Sequence, residues 1–145
     1  MAILNYTTKI DAAKTVGEIQ AMLAKKGAAS IRIDYEKGVP IAVEFETDTP
    51  TLGRQFYSYA PRVEGVLESL QRDPNVPSRF CDLEQARRVA WRIEKDWLEA
   101  QFAKSEAMRF PLERLMLSYM VMGQKPLYEK MVESHAKMLM EAPSK

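Results

Sequence analysis

One cysteine, Cys81, and one histidine, His135, stand in 145 residues. An internal disulfide is therefore excluded, and the fold does not depend on an oxidising compartment. Metal sites draw on clustered Cys, His or carboxylate ligands, and this pair is far apart in sequence, so no metal is expected. Glycine is scarce as well: six residues, all isolated, leave no glycine-rich phosphate loop. Neither sign of charge dominates, with 21 Lys plus Arg against 20 Asp plus Glu. Residues 1–80 carry 10 of each sign and residues 81–145 carry 11 basic and 10 acidic side chains. No global field draws the chain to nucleic acid or to an anionic membrane, so such binding needs a local patch. No apolar run approaches the ~20 residues that cross a bilayer. The opening MAILNYTTKID is too polar for a signal-peptide core. The expectation is a cytoplasmic protein, in a bacterial host, with no membrane partner.

What is present is an ordinary globular balance, 46% hydrophobic and 28% charged, in one domain over 1–145. Ile3 to Ile10 alternates, with Leu4, Tyr6, Thr8 and Ile10 on one face, and predicts a strand. Thr15 and Glu18 form a capping-box pattern ahead of Ile19, Met22 and Leu23, and Lys25-Lys26-Gly27 closes that helix. Residues 30–59 read as an antiparallel meander. Ile31, Ile33 and Tyr35 alternate with Arg32 and Asp34, a tight turn follows at Glu36-Lys37-Gly38, and Val39, Ile41, Val43 and Phe45 alternate in turn. Pro61 opens a short helix with a stripe of Val63, Val66, Leu67 and Leu70.

The segment 71–80, with Pro74 and Pro77, is linker-like and separates a sheet-containing part (1–70) from a helical one (81–145). Asp82 caps a long helix that runs to about Met108, where Phe110-Pro111 breaks it. A fourth helix is predicted through Leu112, Leu115, Met116, Tyr119 and Met120 to Gly123. A last one, from Pro126, carries Leu127, Met131, His135, Met138 and Leu139 on one stripe. The fold class expected is α+β: a β-α-β-β-β-α N-terminal half with an antiparallel meander, then a helical C-terminal half.

The long helix carries the candidate site. Arg88, Arg92 and Lys95 fall at i, i+4 and i+7, with Arg87 and Trp91 alongside, and cations beside an indole suit phosphate and base stacking. The same stripe also reads as a solvated face, because Glu84 is placed to pair with Arg88, Asp96 with Arg92 and Glu99 with Lys95. Apolar residues occupy two sides of this helix: Ala86, Ala90, Ile93, Trp97 and Ala100 on one, Trp91, Leu98 and Phe102 off it. Seven of the nine methionines lie between Met108 and Met140. Both features suit burial against a second copy, in a homodimer or higher homo-oligomer. Tyr35, Tyr57 and Tyr59 with Arg32, Arg54 and Arg62 resemble a base-stacking sheet, although core packing explains the tyrosines better. Glu44 and Glu46 share the wet face of a strand, so no catalytic pair is expected there.

Three stretches, NYTTKIDAAKTVGEIQAMLAKKGAASIRIDY (5–35), EQARRVAWRIEKDWLEAQ (84–101) and PLYEKM (126–131), resemble a group of short proteins of unassigned function encoded in phages, prophages and bacterial mobile elements. The resemblance implies an accessory role, such as binding nucleic acid, intercepting a nucleotide signal or blocking a host enzyme. It brings no catalytic residue and no cofactor. The reading that follows is a non-catalytic binding protein, with host defence as one setting, acting on nucleic acid or a nucleoprotein machine through Arg87, Arg88, Trp91, Arg92 and Lys95. The alternative is a nucleotide-sequestering protein with its pocket at the sheet–helix junction or the oligomer interface. A small hydrolase built on Cys81 and His135 is the third reading.

Overall fold

The computed structural model describes residues 2–134. Helix α1 (Ala12–Lys25) leads into a three-stranded antiparallel sheet of β1 (Ser30–Glu36), β2 (Val39–Thr49) and β3 (Gly53–Tyr59), in that spatial order. Helix α2 (Val63–Arg72), a 3₁₀ turn (Ser78–Phe80) and the long α3 (Leu83–Met108) follow. The chain closes with α4 (Leu112–Leu115), a small hairpin of β4 (Val121–Met122) and β5 (Lys125–Pro126), and α5 (Leu127–Glu133). The class is α+β. His135, Met138 and Leu139, expected on the last helix, and the rest of 135–145 lie outside the described residues.

Local chemistry explains most of these limits. Helix α1 ends in a Schellman motif: Gly27 sits at φ 96°, its N–H donates to the Ala24 carbonyl, and the Ala28 N–H donates to Leu23. The Lys37-Gly38 pair, both at positive φ, forms the two-residue turn between β1 and β2. Asp82 caps α3 by accepting from the Gln85 N–H at 2.8 Å, and Arg109 ends it in the left-handed conformation (φ 58°) just before Phe110-Pro111.

Three expectations are corrected. Ile3 to Ile10 forms turns, not a strand. An alternating pattern needs a neighbour to pair with. Here Asn5 adopts φ 65°, and the buried Gln85 side chain takes the carbonyls of Tyr6 and Thr8, both at 2.9 Å. The N-terminal order is thus α-β-β-β-α. The fourth helix amounts to one turn, because Met116 and Met120 are drawn into the core and Met120 bridges to Tyr57 on the edge of β3. Helix α1 starts a turn earlier than the Thr15 box suggests, after Asp11, which makes no side-chain cap; Thr15 itself is buried.

The alternation in the sheet also breaks, at a bulge. Asp34 faces Ala42 but Tyr35 faces Pro40, leaving Ile41 as the extra residue. Ile41 and Tyr35 turn outward, 41% and 59% exposed, while Pro40 is buried and its carbonyl accepts the Trp91 indole N–H at 3.3 Å. The main core unites Val16, Ile19 and Leu23 of α1, Val43 and Phe45 of β2, Tyr57 and Tyr59 of β3, Trp91, Leu98 and Phe102 of α3, and Met116 and Met120. A satellite of Leu70, Val76 and Ala86 sits between α2 and α3 and takes in Tyr6 and Phe80, whose rings meet edge to face. Helix α3 is therefore central. Its inward stripe runs through Trp91, Leu98 and Phe102, while Ile33, Val66, Ile93 and Trp97, which the sequence pattern places on apolar faces, are only half-buried. Of the two apolar sides of α3 that suited a second copy, the one carrying Trp91, Leu98 and Phe102 is covered within the chain itself.

Leu98→Ala should cost roughly 2–5 kcal/mol and Ile93→Ala clearly less, as urea unfolding will measure. Equal losses would reassign the inward stripe. Gln85→Ala leaves two carbonyls without their donor and should cost about 1–3 kcal/mol. Hydrogen exchange should then speed up in residues 2–10 before it does in α3.

Candidate functional site

The predicted stripe on α3 and its flanking residues are split among four surroundings. Trp91 is fully buried, so its expected role as a contact residue is corrected: no base or guanidinium reaches its ring. Arg88 donates to Glu84 at 2.9 Å, to Asp11 at 3.4 Å and to the Gln85 side-chain oxygen at 3.1 Å. Arg92 pairs with Glu18 and reaches the Thr15 hydroxyl at 3.3 Å. Its expected partner, Asp96, instead accepts from Asn5 at 2.8 Å. Lys95 pairs with Glu99 at 3.1 Å, as helical spacing predicts. Arg88 and Arg92 thus clamp α1 to α3. Arg87 stands apart, in a cleft with Glu36, Lys37, Glu64 and Leu83.

The tyrosines of the sheet divide similarly. Tyr57 and Tyr59 are buried beneath the helices, and Tyr35 alone is exposed. Arg32 pairs with Asp34 and Glu44, and Arg54 with Asp48 at 2.7 Å.

A cavity of about 890 Å³ opens where the end of β3, the start of α2, the middle of α3 and the Tyr119–Glu129 segment meet. Tyr59, Tyr119 and Tyr128 supply its aromatic surface. The Tyr119 ring packs edge to face on Tyr59 (6.0 Å) and on Trp97 (5.3 Å), which backs this wall. Three carboxyl groups line it, Glu64, Glu94 and Glu129, against one guanidinium, Arg62. None of these carboxyl groups forms an ion pair among the described residues. The Tyr59 hydroxyl is buried and has no hydrogen-bond partner among the described residues. Burial, with Glu94 adding to it, pushes the Tyr59 phenol well up. Burial also raises Glu94 above the ordinary carboxyl range. Tyr119 is raised by burial and then by Glu94 and Glu129, so both carboxyl groups act on one phenol.

A second buried group lies by the β2–β3 loop. Glu113 is buried, accepts from the Thr51 hydroxyl with one oxygen, and leaves Oε2 without a partner among the described residues. Tyr57, also unpartnered, is pushed up to about 12 by burial and by Glu113.

Sequence reasoning passed over Glu94. Its signal was its position: on the helical wheel it falls midway between Trp91 and Trp97, where a solvated carboxylate has no reason to be. Cys81 does not line the cavity; its Sγ lies 3.3 Å from the Leu70 carbonyl and 3.6 Å from that of Pro77, which share its one proton. No group of three or more His, Cys, Asp or Glu suited to a metal occurs among the described residues, and no described helix is long and apolar enough to cross a membrane.

The raised Glu94 has a consequence for stability. A carboxyl whose folded pKa lies above its unfolded value binds more protons when folded, so its contribution becomes less favourable as pH rises through that window. Glu94→Gln, which cannot ionise, should therefore stabilise the ligand-free protein at pH 7, and the gain should vanish near pH 4. Denaturant midpoints at the two pH values check this. A loss of stability at pH 7 would mean that the carboxylate holds the fold together.

No protein-family model matches the chain, and neither a curated protein nor a solved structure matches it.

Proposed function

We propose that the chain is a non-catalytic cytoplasmic binding protein that holds a small molecule in the cavity between β3, α2, α3 and α5. The observation that carries this reading is the set of carboxyl groups lining the cavity, Glu64, Glu94 and Glu129, none in an ion pair among the described residues, with Glu94 desolvated by burial. A buried charge is stable only when it is paired, hydrogen-bonded or neutralised by a proton. A ligand that supplies the missing partner accounts for these carboxyl groups. The volume, about 890 Å³, falls among those of small-molecule sites, roughly 300–1,000 Å³. The hydrolase reading draws no support from the cavity, whose lining does not include Cys81, and His135 lies outside the described residues.

Contact with nucleic acid or a nucleoprotein machine through Arg87, Arg88, Arg92 and Lys95 is supported less well. Three of these side chains already hold carboxylates, and a phosphate would have to displace them. In a phage or mobile element, an accessory protein of the proposed kind acts by withdrawing a small molecule from the host.

Native mass spectrometry of protein freshly purified from its host should show a small-molecule adduct on the 16.6 kDa chain. Gly65 lines the cavity, and a Cβ there meets nothing within 4 Å, so Gly65→Phe can fill the space with little strain. That variant should fold and lose the adduct. An adduct kept by Gly65→Phe places the ligand elsewhere. A bare wild-type chain that is retained on nucleic acid at about 50 mM salt moves the function to α3.

A further inference from the structure

Ligand charge is written into the wall of this cavity. Elsewhere in the described chain, carboxylates such as Asp11, Glu18, Asp48 and Glu133 sit against cations. In the cavity, Glu94 from α3, Glu129 from α5 and Glu64 from α2 face the space without such partners among the described residues, and Arg62 alone opposes them. Glu94 is half-buried, and a desolvated carboxylate is stable only when a positive charge or a proton meets it. Tyr59, Tyr119 and Tyr128 offer ring faces, whose negative potential attracts cations. A nucleotide would bring phosphate to the same carboxylates and meet repulsion.

We infer that the cavity binds an organic amine in its protonated form, with the ammonium group against Glu94 and the carbon skeleton against Tyr119 and Tyr128. This rests on the small-molecule reading above. An independent observation points the same way: Glu94 from α3 and Glu129 from α5 both act on the Tyr119 phenol, so two carboxyl groups from separate helices converge on one aromatic wall of the cavity. The raised Glu94 fits a site whose counter-charge comes with the ligand. Binding requires the carboxylate, so it weakens as pH falls through the raised Glu94 value, above the ordinary ~4.3 of a glutamate. Tyr59 and Tyr119 are both raised and stay neutral in that window. The other charged groups that face Glu94 across the cavity are Arg62, Glu64 and Glu129.

Three probes on the full chain separate the possibilities: phenethylamine, its neutral analogue 2-phenylethanol, and AMP. Trp97 behind Tyr119 gives a fluorescence signal, and calorimetry gives the affinities. Phenethylamine should bind about ten- to a hundredfold more tightly than 2-phenylethanol, the worth of one charge-assisted hydrogen bond, and AMP should not compete. Glu94→Gln should erase that preference and its pH dependence while still binding 2-phenylethanol, and Gly65→Phe should abolish both. Circular dichroism of both variants should match the parent. If 2-phenylethanol or AMP binds as well as the amine, or if the preference survives in Glu94→Gln, the cation inference is overturned and the cavity reading stands. If no probe binds and the purified chain carries no adduct, both fall.

Discussion

The hydrogen bond from the Trp91 indole to the Pro40 carbonyl sets the height of α3 on the sheet, and much else follows from it. A buried indole N–H must find an acceptor, and in a regular ladder the strand carbonyls are occupied. Proline lacks an N–H, and the bulge at Ile41 interrupts the ladder beside it, so Pro40 can turn its oxygen to the helix. The bulge also explains why Ile41 and Tyr35 face water although the alternation on either side is regular. With Trp91 held there, Leu98 and Phe102 fall over the sheet and Ala86 lies against α2.

Helix α3 is covered on several sides and yet carries ten charged side chains among its 26 residues, so where each of them finds a partner is informative. Arg88 and Arg92 are spent on α1. Glu94 is the exception, because no element of the described chain neutralises it, and it stands between the two tryptophans, next to a phenol that also lacks a partner. A folding optimum would place an apolar side chain there. Residues that break a local rule with no structural gain are where binding is expected to reside.

How much was legible depended on the range of the interaction. Asp82, Phe110-Pro111, Lys37-Gly38 and Lys26-Gly27 act within a few residues, and the ends they mark (both ends of α3, the β1–β2 turn and the end of α1) were read correctly. The segment Ile3–Ile10 was not, because alternation describes a strand only if an edge is free to receive it, and Gln85 claimed its carbonyls from 77 and 79 residues away. The basic stripe fared in the same way. Spacing on one helix identified Glu84 and Glu99 as partners but gave no sign of Asp11 or Glu18, which arrive from another helix. The cavity is assembled from four separate segments, so no local pattern marked it, and Glu94, whose place on the helical wheel was the one available signal, was passed over.

The clamp between α1 and α3 also dictates an order of events during synthesis. Arg88 and Arg92 stand 77 and 74 residues after Asp11 and Glu18. At a translation rate of about 5–20 residues per second, the apolar face of α1 leaves the ribosome several seconds before the surface that covers it exists. The meander, built from adjacent strands, closes early, since short loops cost little entropy to form. Val16, Ile19 and Leu23 are therefore left to the half-built sheet, or to a chaperone, until α3 is complete.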